Sequence, residues 1–131
     1  MSNPTLKQGP LSAEIGADLE KFRVVTLNKD GKIVHAKATG GALGVVTELG
    51  RLAPEAPGTQ VLAVHYGPAA VKVETDGEIK AGDAVFAAAD GKVSAKGSVQ
   101  VGVAIRGTEG GRTLTVLNGL PAAAGGAGAS A

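Results

Sequence analysis

A Gly-punctuated series of short Val-rich runs occurs twice in this chain, and that repetition limits the fold more than any other feature. VVTLNKDGKIVHA (24–36) parallels AVFAAADGKVSA (84–95), so Asp30-Gly31-Lys32 returns as Asp90-Gly91-Lys92 at an offset of 60. LGVVTE (43–48) parallels VGVAIR (101–106) at an offset of 58, and QVLAVHYG (60–67) parallels RTLTVLNG (112–119) at an offset of 52. Each unit reads strand, Asp-Gly turn, strand, Gly-Val strand, Gly-rich loop, strand. Asp-Gly between apolar runs signals a hairpin, because Gly accepts positive φ and Asp bonds its own backbone. Two such units predict an all-β fold, a small barrel or sandwich of two similar β units with pseudo-twofold character.

The strands are expected at 22–27, 32–36, around Val45 and Val46, and at 60–67, 70–75, 83–89, 92–95, 99–106 and 112–117. In 70–75, Val71 and Val73 alternate with Lys72 and Glu74, the half-buried pattern. In 99–106 the alternation puts Val99, Val101, Val103 and Ile105 on one side. RLAPEAPGT (51–59) is a turn-rich loop. Before the repeats, residues 1–21 read as an extended arm with at most two helical turns. Ser12 would cap such a helix, and Leu11, Ile15 and Leu19 would line one face at four-residue spacing. The expected organisation is an arm over 1–21, a β domain over 22–119 with units at about 22–67 and 83–119, and a tail over 120–131. PAAAGGAGASA (121–131) has no side chains able to build a core and is expected to be mobile.

Composition narrows the function. Of 131 residues, 34 are Val, Leu, Ile, Phe, Met or Tyr, and 23 are Ala. At about 25 cal/mol per Å² of buried apolar surface, so much Ala makes a thin core. With 21 Gly as well, part of the stability is expected to come from a partner or an oligomer. The absence of Cys removes disulfides, thiolate metal sites and Cys nucleophiles. No run reaches the ~18 apolar residues of a membrane span, and the N-terminus lacks a signal-peptide pattern, which points to synthesis in a cytoplasm. The net charge is +1 with interspersed signs, and aromatics are 2%. A basic footprint and base-stacking platforms for nucleic acid are both missing.

The sequence offers little chemistry. Both Gly-Lys pairs are followed by Ile33 and Val93, so neither is a phosphate loop. His35 and His65 lie in separate expected strands, outside any metal-ligand spacing, and read as ordinary strand histidines. No serine sits in a nucleophile elbow. Lys72, Glu74, Asp76 and Glu78 read as solvated charges. No catalytic residue, metal site or cofactor is expected. Ile79-Lys80-Ala81-Gly82-Asp83-Ala84-Val85 and the second Asp-Gly-Lys turn leave one alternative, a small β carrier domain modified on a hairpin-tip lysine, Lys92.

The ordered set of segments carries a resemblance. ADLEKFRVVTLNKDGKIVHA (17–36), LGVVTE (43–48), APGTQVLAVHYGPAAVKVETDGEIKAGDAVFAAADGKV (56–93) and VGVAI (101–105) together resemble the tailed-phage capsid decoration, or cement, proteins of two-unit β type. The resemblance spans about 17–119. It implies a non-enzymatic structural protein, usually a homotrimer, on the outer surface of the phage head. There it would tie neighbouring major capsid protein subunits together after the shell has expanded. Its partners would be the major capsid protein and itself, with no nucleic acid and no membrane. Leu6, Leu11, Ile15 and Leu19 of the arm are candidate capsid or neighbour contacts. The other reading of these four is that they cover the open end of the barrel.

Overall fold

In the computed structural model, residues 10–52, 61–66 and 69–117 are described. The first unit comprises β1 (Leu11–Glu14), β2 (Arg23–Leu27), β3 (Ile33–His35), β4 (Gly44–Val46) and β5 (Val61–His65). The second comprises β6 (Ala70–Glu74), β7 (Ala84–Ala87), β8 (Val93–Ser94), β9 (Gln100–Ala104) and β10 (Arg112–Leu117). Each unit forms its own antiparallel five-stranded sheet, ordered β1-β5-β4-β2-β3 and β6-β10-β9-β7-β8. The two orders are one path followed twice. The expected all-β architecture of two similar units is therefore what the chain adopts.

The pairing registers fix the correspondence residue by residue. Leu11 faces Val64 as Val71 faces Thr115, and Val46 faces Val64 as Ala104 faces Thr115. The first three strands of each unit are thus related by an offset of 60, the fourth by 58 and the fifth by 51. The last value corrects the 52 read from the sequence. A one-residue slip exchanges the two faces of a strand. An offset of 52 would match Leu62 to Leu114 and Val64 to Val116, whereas the buried counterparts of Leu62 and Val64 in the repeat are Thr113 and Thr115.

The arm is a second correction. Leu11–Glu14 is a strand hydrogen-bonded to β5, not a helical turn. Four-residue spacing fits a strand as well as a helix, because four is a multiple of the strand period. Past β1 the chain turns inward. Ile15 bridges to Ile33 in parallel, and the Gly16 amide donates to the Ile33 carbonyl at 2.8 Å. The same device recurs 60 residues later, where Thr75 bridges to Val93 and the Asp76 amide donates to the Val93 carbonyl at 2.8 Å.

The first sheet curls over an inner core of its own, whereas the interior of the second is continuous with the junction between the units. In the first unit Ile15, Leu19, Val25, Ile33, Val46 and Val64 are fully buried together, with Ala13, Leu43 and Leu62 against them. The equivalent positions of the second unit hold Thr75, Ile79, Val85, Val93, Ala104 and Thr115, with Val73 and Thr113. There the Thr113 hydroxyl meets those of Thr75 at 2.6 Å and Thr108 at 2.7 Å, and Thr115 donates to the Thr113 carbonyl. The corresponding trio in the first unit is Leu62, Ile15 and Gly50, where a Cβ on Gly50 would stand 2.9 Å from the Leu62 methyl. One backbone thus closes over an apolar plug or a satisfied hydroxyl chain. Buried hydroxyls are tolerated when they are paired.

The alternation expected across 99–106 is broken. Val85 faces Gly102 but Phe86 faces Gln100, so Val101 is an extra residue on β9, a bulge. Beyond it the phase inverts. Val101 is buried with Gly102 and Ala104, while Val103 and Ile105 turn outward, 41% and 46% exposed.

The units meet unequally. Val24, Ala36, Ala42 and Val45, on the outer face of the first sheet and its margin, join one core with Val71, Ala87, Val101 and Leu117 of the second. The outer face of the first sheet thereby caps the open end of the second barrel. The Gly91 amide donates to the Ala36 carbonyl at 2.7 Å, the Glu74 amide to the Phe22 carbonyl at 2.7 Å, and the Arg23 guanidinium to the Asp90 carbonyl at 3.0 Å. The reciprocal groups do not meet. Val103, the counterpart of fully buried Val45, is exposed, and the Asp30-Gly31 turn lies in solvent. The relation between units is head-to-tail, which corrects the pseudo-twofold expectation. It also separates the two turn glycines. Both have left-handed φ, +76° at Gly31 and +72° at Gly91. A Cβ on Gly31 meets nothing, whereas one on Gly91 would lie 2.6 Å from the Val24 carbonyl oxygen. Gly31→Ala is expected to cost about 1 kcal/mol from backbone strain alone. Gly91→Ala adds a clash at the junction and should cost about 3 kcal/mol. Urea midpoints of the two variants check this difference.

Candidate functional site

The four arm residues separate in the structure. Leu6 lies outside the described residues. Leu11 is half-buried in β1, and Ile15 and Leu19 are sealed in the first inner core. The segment that carries them is fastened down. Leu19 and Gly50 exchange backbone hydrogen bonds of 2.8 and 2.9 Å. The Arg51 guanidinium donates to the Leu19 and Gly50 carbonyls and pairs with Glu20 at 3.0 Å, while the Asp18 carboxylate accepts the Leu52 amide at 2.8 Å. Ile15 and Leu19 therefore cover the barrel, and no face of either is free for a capsid partner. Their burial, at 1% and 0% exposure, corrects the contact reading for those two.

The histidines stay apart. His65 sits on β5 opposite Val45. The Nε2 atom of His35 accepts the Glu20 amide at 3.0 Å, which requires an unprotonated nitrogen and ties the covering segment to β3. Burial lowers the His35 pKa below its ordinary 6.5, Arg23 lowers it further, and Asp90 and Glu20 partly oppose the shift. Below pH 6.5 the unfolded chain then binds more protons at this site than the folded one. The His35 contribution is fully present well above that value and is lost as the pH falls from it through the lower pKa of the folded state. The urea midpoint should drop between about pH 7.5 and about pH 5, and His35→Gln should flatten part of that drop.

Lys92 is not at a hairpin tip. It follows a 3-10 turn, Ala89–Gly91, and its carbonyl accepts the Ala88 amide at 2.8 Å. That turn is docked on the first unit through Gly91 and Asp90. The first-unit counterpart, Lys32, pairs with Glu14 at 3.5 Å.

Of the charges read as solvated, Asp76 and Glu78 are exposed, but Glu74 is half-buried and pairs with Arg112 at 3.2 Å. Arg112 also lies over the Phe22 ring, 4.3 Å from its centre, across the junction. A shallow recess of about 250 Å³ opens beside it, lined by Lys72, Arg106, Glu109, Arg112 and Leu114 among others. It brings together two arginines, a lysine and a carboxylate, without a histidine or a serine. Among the described residues no group of three His, Asp or Glu side chains is placed to hold a metal ion, and no helix is long and apolar enough to cross a membrane.

What the surface does offer is apolar. Leu27, Leu49, Leu52 and Val61 of the first unit and Val103, Ile105 and Val116 of the second are all more than a third exposed. Three of these form a patch. Val116 pairs directly with Val103, and the Ile105 amide donates to the Leu114 carbonyl next to them. The patch escaped the sequence reading because the bulge at Val101 turned two core-looking residues outward. No protein-family model matches the chain, and no curated protein matches it.

Proposed function

We propose that the protein is a capsid decoration protein, a homotrimer that binds the outside of an expanded phage head and ties neighbouring major capsid protein subunits together. The observation that carries this reading is the distribution of exposed apolar side chains, from Leu27 to Val116, over both units of a small rigid β scaffold. Apolar patches on a soluble surface mark places of association. Repeated over a lattice, contacts of ~800 Å² per partner add up without any one being strong. The order of strand, Asp-Gly-Lys turn and Gly-Val strand in both units supports the same reading through its resemblance to two-unit cement proteins. A protein that binds only the expanded lattice stabilises it by linkage.

The test uses heads that lack this protein, taken before and after expansion, from the phage or prophage that encodes it. Purified protein should co-sediment with expanded heads and raise their melting temperature. Equal binding to unexpanded heads, or none to either, would refute the proposal.

A further inference from the structure

We propose that copies of this chain join head-to-tail, with the outer face of the second sheet in one copy capping the open end of the first barrel in the next. The internal repeat itself names the occupant. Within the chain, the outer row of the first sheet is Val24–Val45–His65; Val24 and Val45 are buried where they close the barrel of a following unit, and His65 is half-buried. The same row in the second sheet is Ala84–Val103–Val116, flanked by Ala70. It keeps the apolar character, and among the described residues no further unit covers it. Val103 is 41% exposed where Val45 is 0%, and Val116, 38% exposed, stands where His65 is half-buried.

The complementary surface at the other end is only partly covered by the described residues. The open end of the second barrel is closed around Val71, Ala87 and Val101, all buried. Their counterparts on the first barrel are Leu11, Leu27 and Leu43, at offsets of 60, 60 and 58. Leu27 is 44% exposed where Ala87 is 1%, and Leu11 and Leu43 are half-buried. Leu27 pairs with Ile33 as Ala87 pairs with Val93, so the two ends share a register. Larger leucines stand where the covered end has alanine and valine.

Among the described residues each copy thus carries one cap face and one barrel end left partly exposed, the two halves of a contact it already makes internally. Such a contact is heterologous, and copies joined through it form a ring when the rotation closes. This inference does not depend on the capsid reading, since it concerns the chain alone in solution.

The experiment is native mass spectrometry and sedimentation of the full chain and of two single variants, Val103→Glu on the cap and Leu27→Glu on the open end. The wild type should show one closed oligomer, and each variant the monomer mass with an unchanged circular dichroism spectrum. An equimolar mixture of the two variants should give a dimer and nothing larger. Each variant retains the half that the other lacks. If either variant misfolds, Val116→Lys and Leu27→Gln replace them on the same faces. A monomeric wild type, variants that keep the wild-type oligomer, or folded variants whose mixture stays monomeric would overturn the proposal.

Discussion

Gly102→Ala is expected to lower the stability of the protein by about 3 kcal/mol, although Gly102 has no left-handed φ. The reason is proximity. Gly102 sits on β9 between Leu117 of β10 and Val85 of β7. A Cβ there would press on the Val116 carbonyl oxygen and lie 2.9 Å from the Thr115 methyl. Both flanking strands are held by ladder hydrogen bonds, so neither can retreat without losing some. Its counterpart Gly44 is placed alike, with the His65 carbonyl oxygen and a Val64 methyl in the way. The Gly-Val pair in each unit is thus a steric requirement of the tightly curled sheet, not a turn. Gly107→Ala is the control, since its added Cβ would have only the Ile79 carbonyl at 3.6 Å. Urea unfolding should separate the two variants clearly. Midpoints within error of each other would show that the strands relax around the methyl.

Leu19→Ala should be comparably severe, at about 3 kcal/mol within the usual 2–5 for buried leucines. Leu19 is wholly buried and packs in one cluster with Ile15, Val25, Ile33, Val46 and Val64. All five of these neighbours are β-branched and stiff, on strands or a segment already hydrogen-bonded in place, so the cavity has little means of collapse. A surface-contact role for Leu19 makes the opposite forecast, intact stability with weakened binding to heads. Equilibrium unfolding of the purified variant distinguishes the two. Truncation of residues 1–16 is a poor test of the arm for the same reason, because it removes β1 and Ile15 from the first barrel. Removal of 1–9 alone leaves both in place.

Much of this fold is legible in the sequence, and the exceptions have physical causes. The Asp-Gly turns and the offsets of 60 and 58 follow from residues whose backbone needs are specific, such as Gly31, Gly91, Gly44 and Gly102. The fifth strand was misregistered because Thr113 and Thr115 look like surface residues. They have nearly the shape of valine, and once their hydroxyls find Thr75, Thr108 and a carbonyl they serve as core. β1 was hidden by the dual meaning of a four-residue period, though Leu11, Ala13 and Ile15 correspond to Val71, Val73 and Thr75 at the same offset of 60. The outward turn of Val103 and Ile105 depends on one inserted residue at Val101, which no alternation rule reveals. The candidate contact surface was the least legible part for that reason. Ile15 and Leu19, which close the first barrel, stood as contact candidates, while Val103 and Ile105 were placed on one face with the buried Val101.

Cryo-electron microscopy of mature heads from the phage or prophage that encodes this chain decides whether it works as a cement. Paired five-stranded sheets seated outside the shell, spanning seams between major capsid subunits, are the expected density. A bare outer surface, with the protein recovered unbound and carrying a mass increment on Lys92, would contradict the reading.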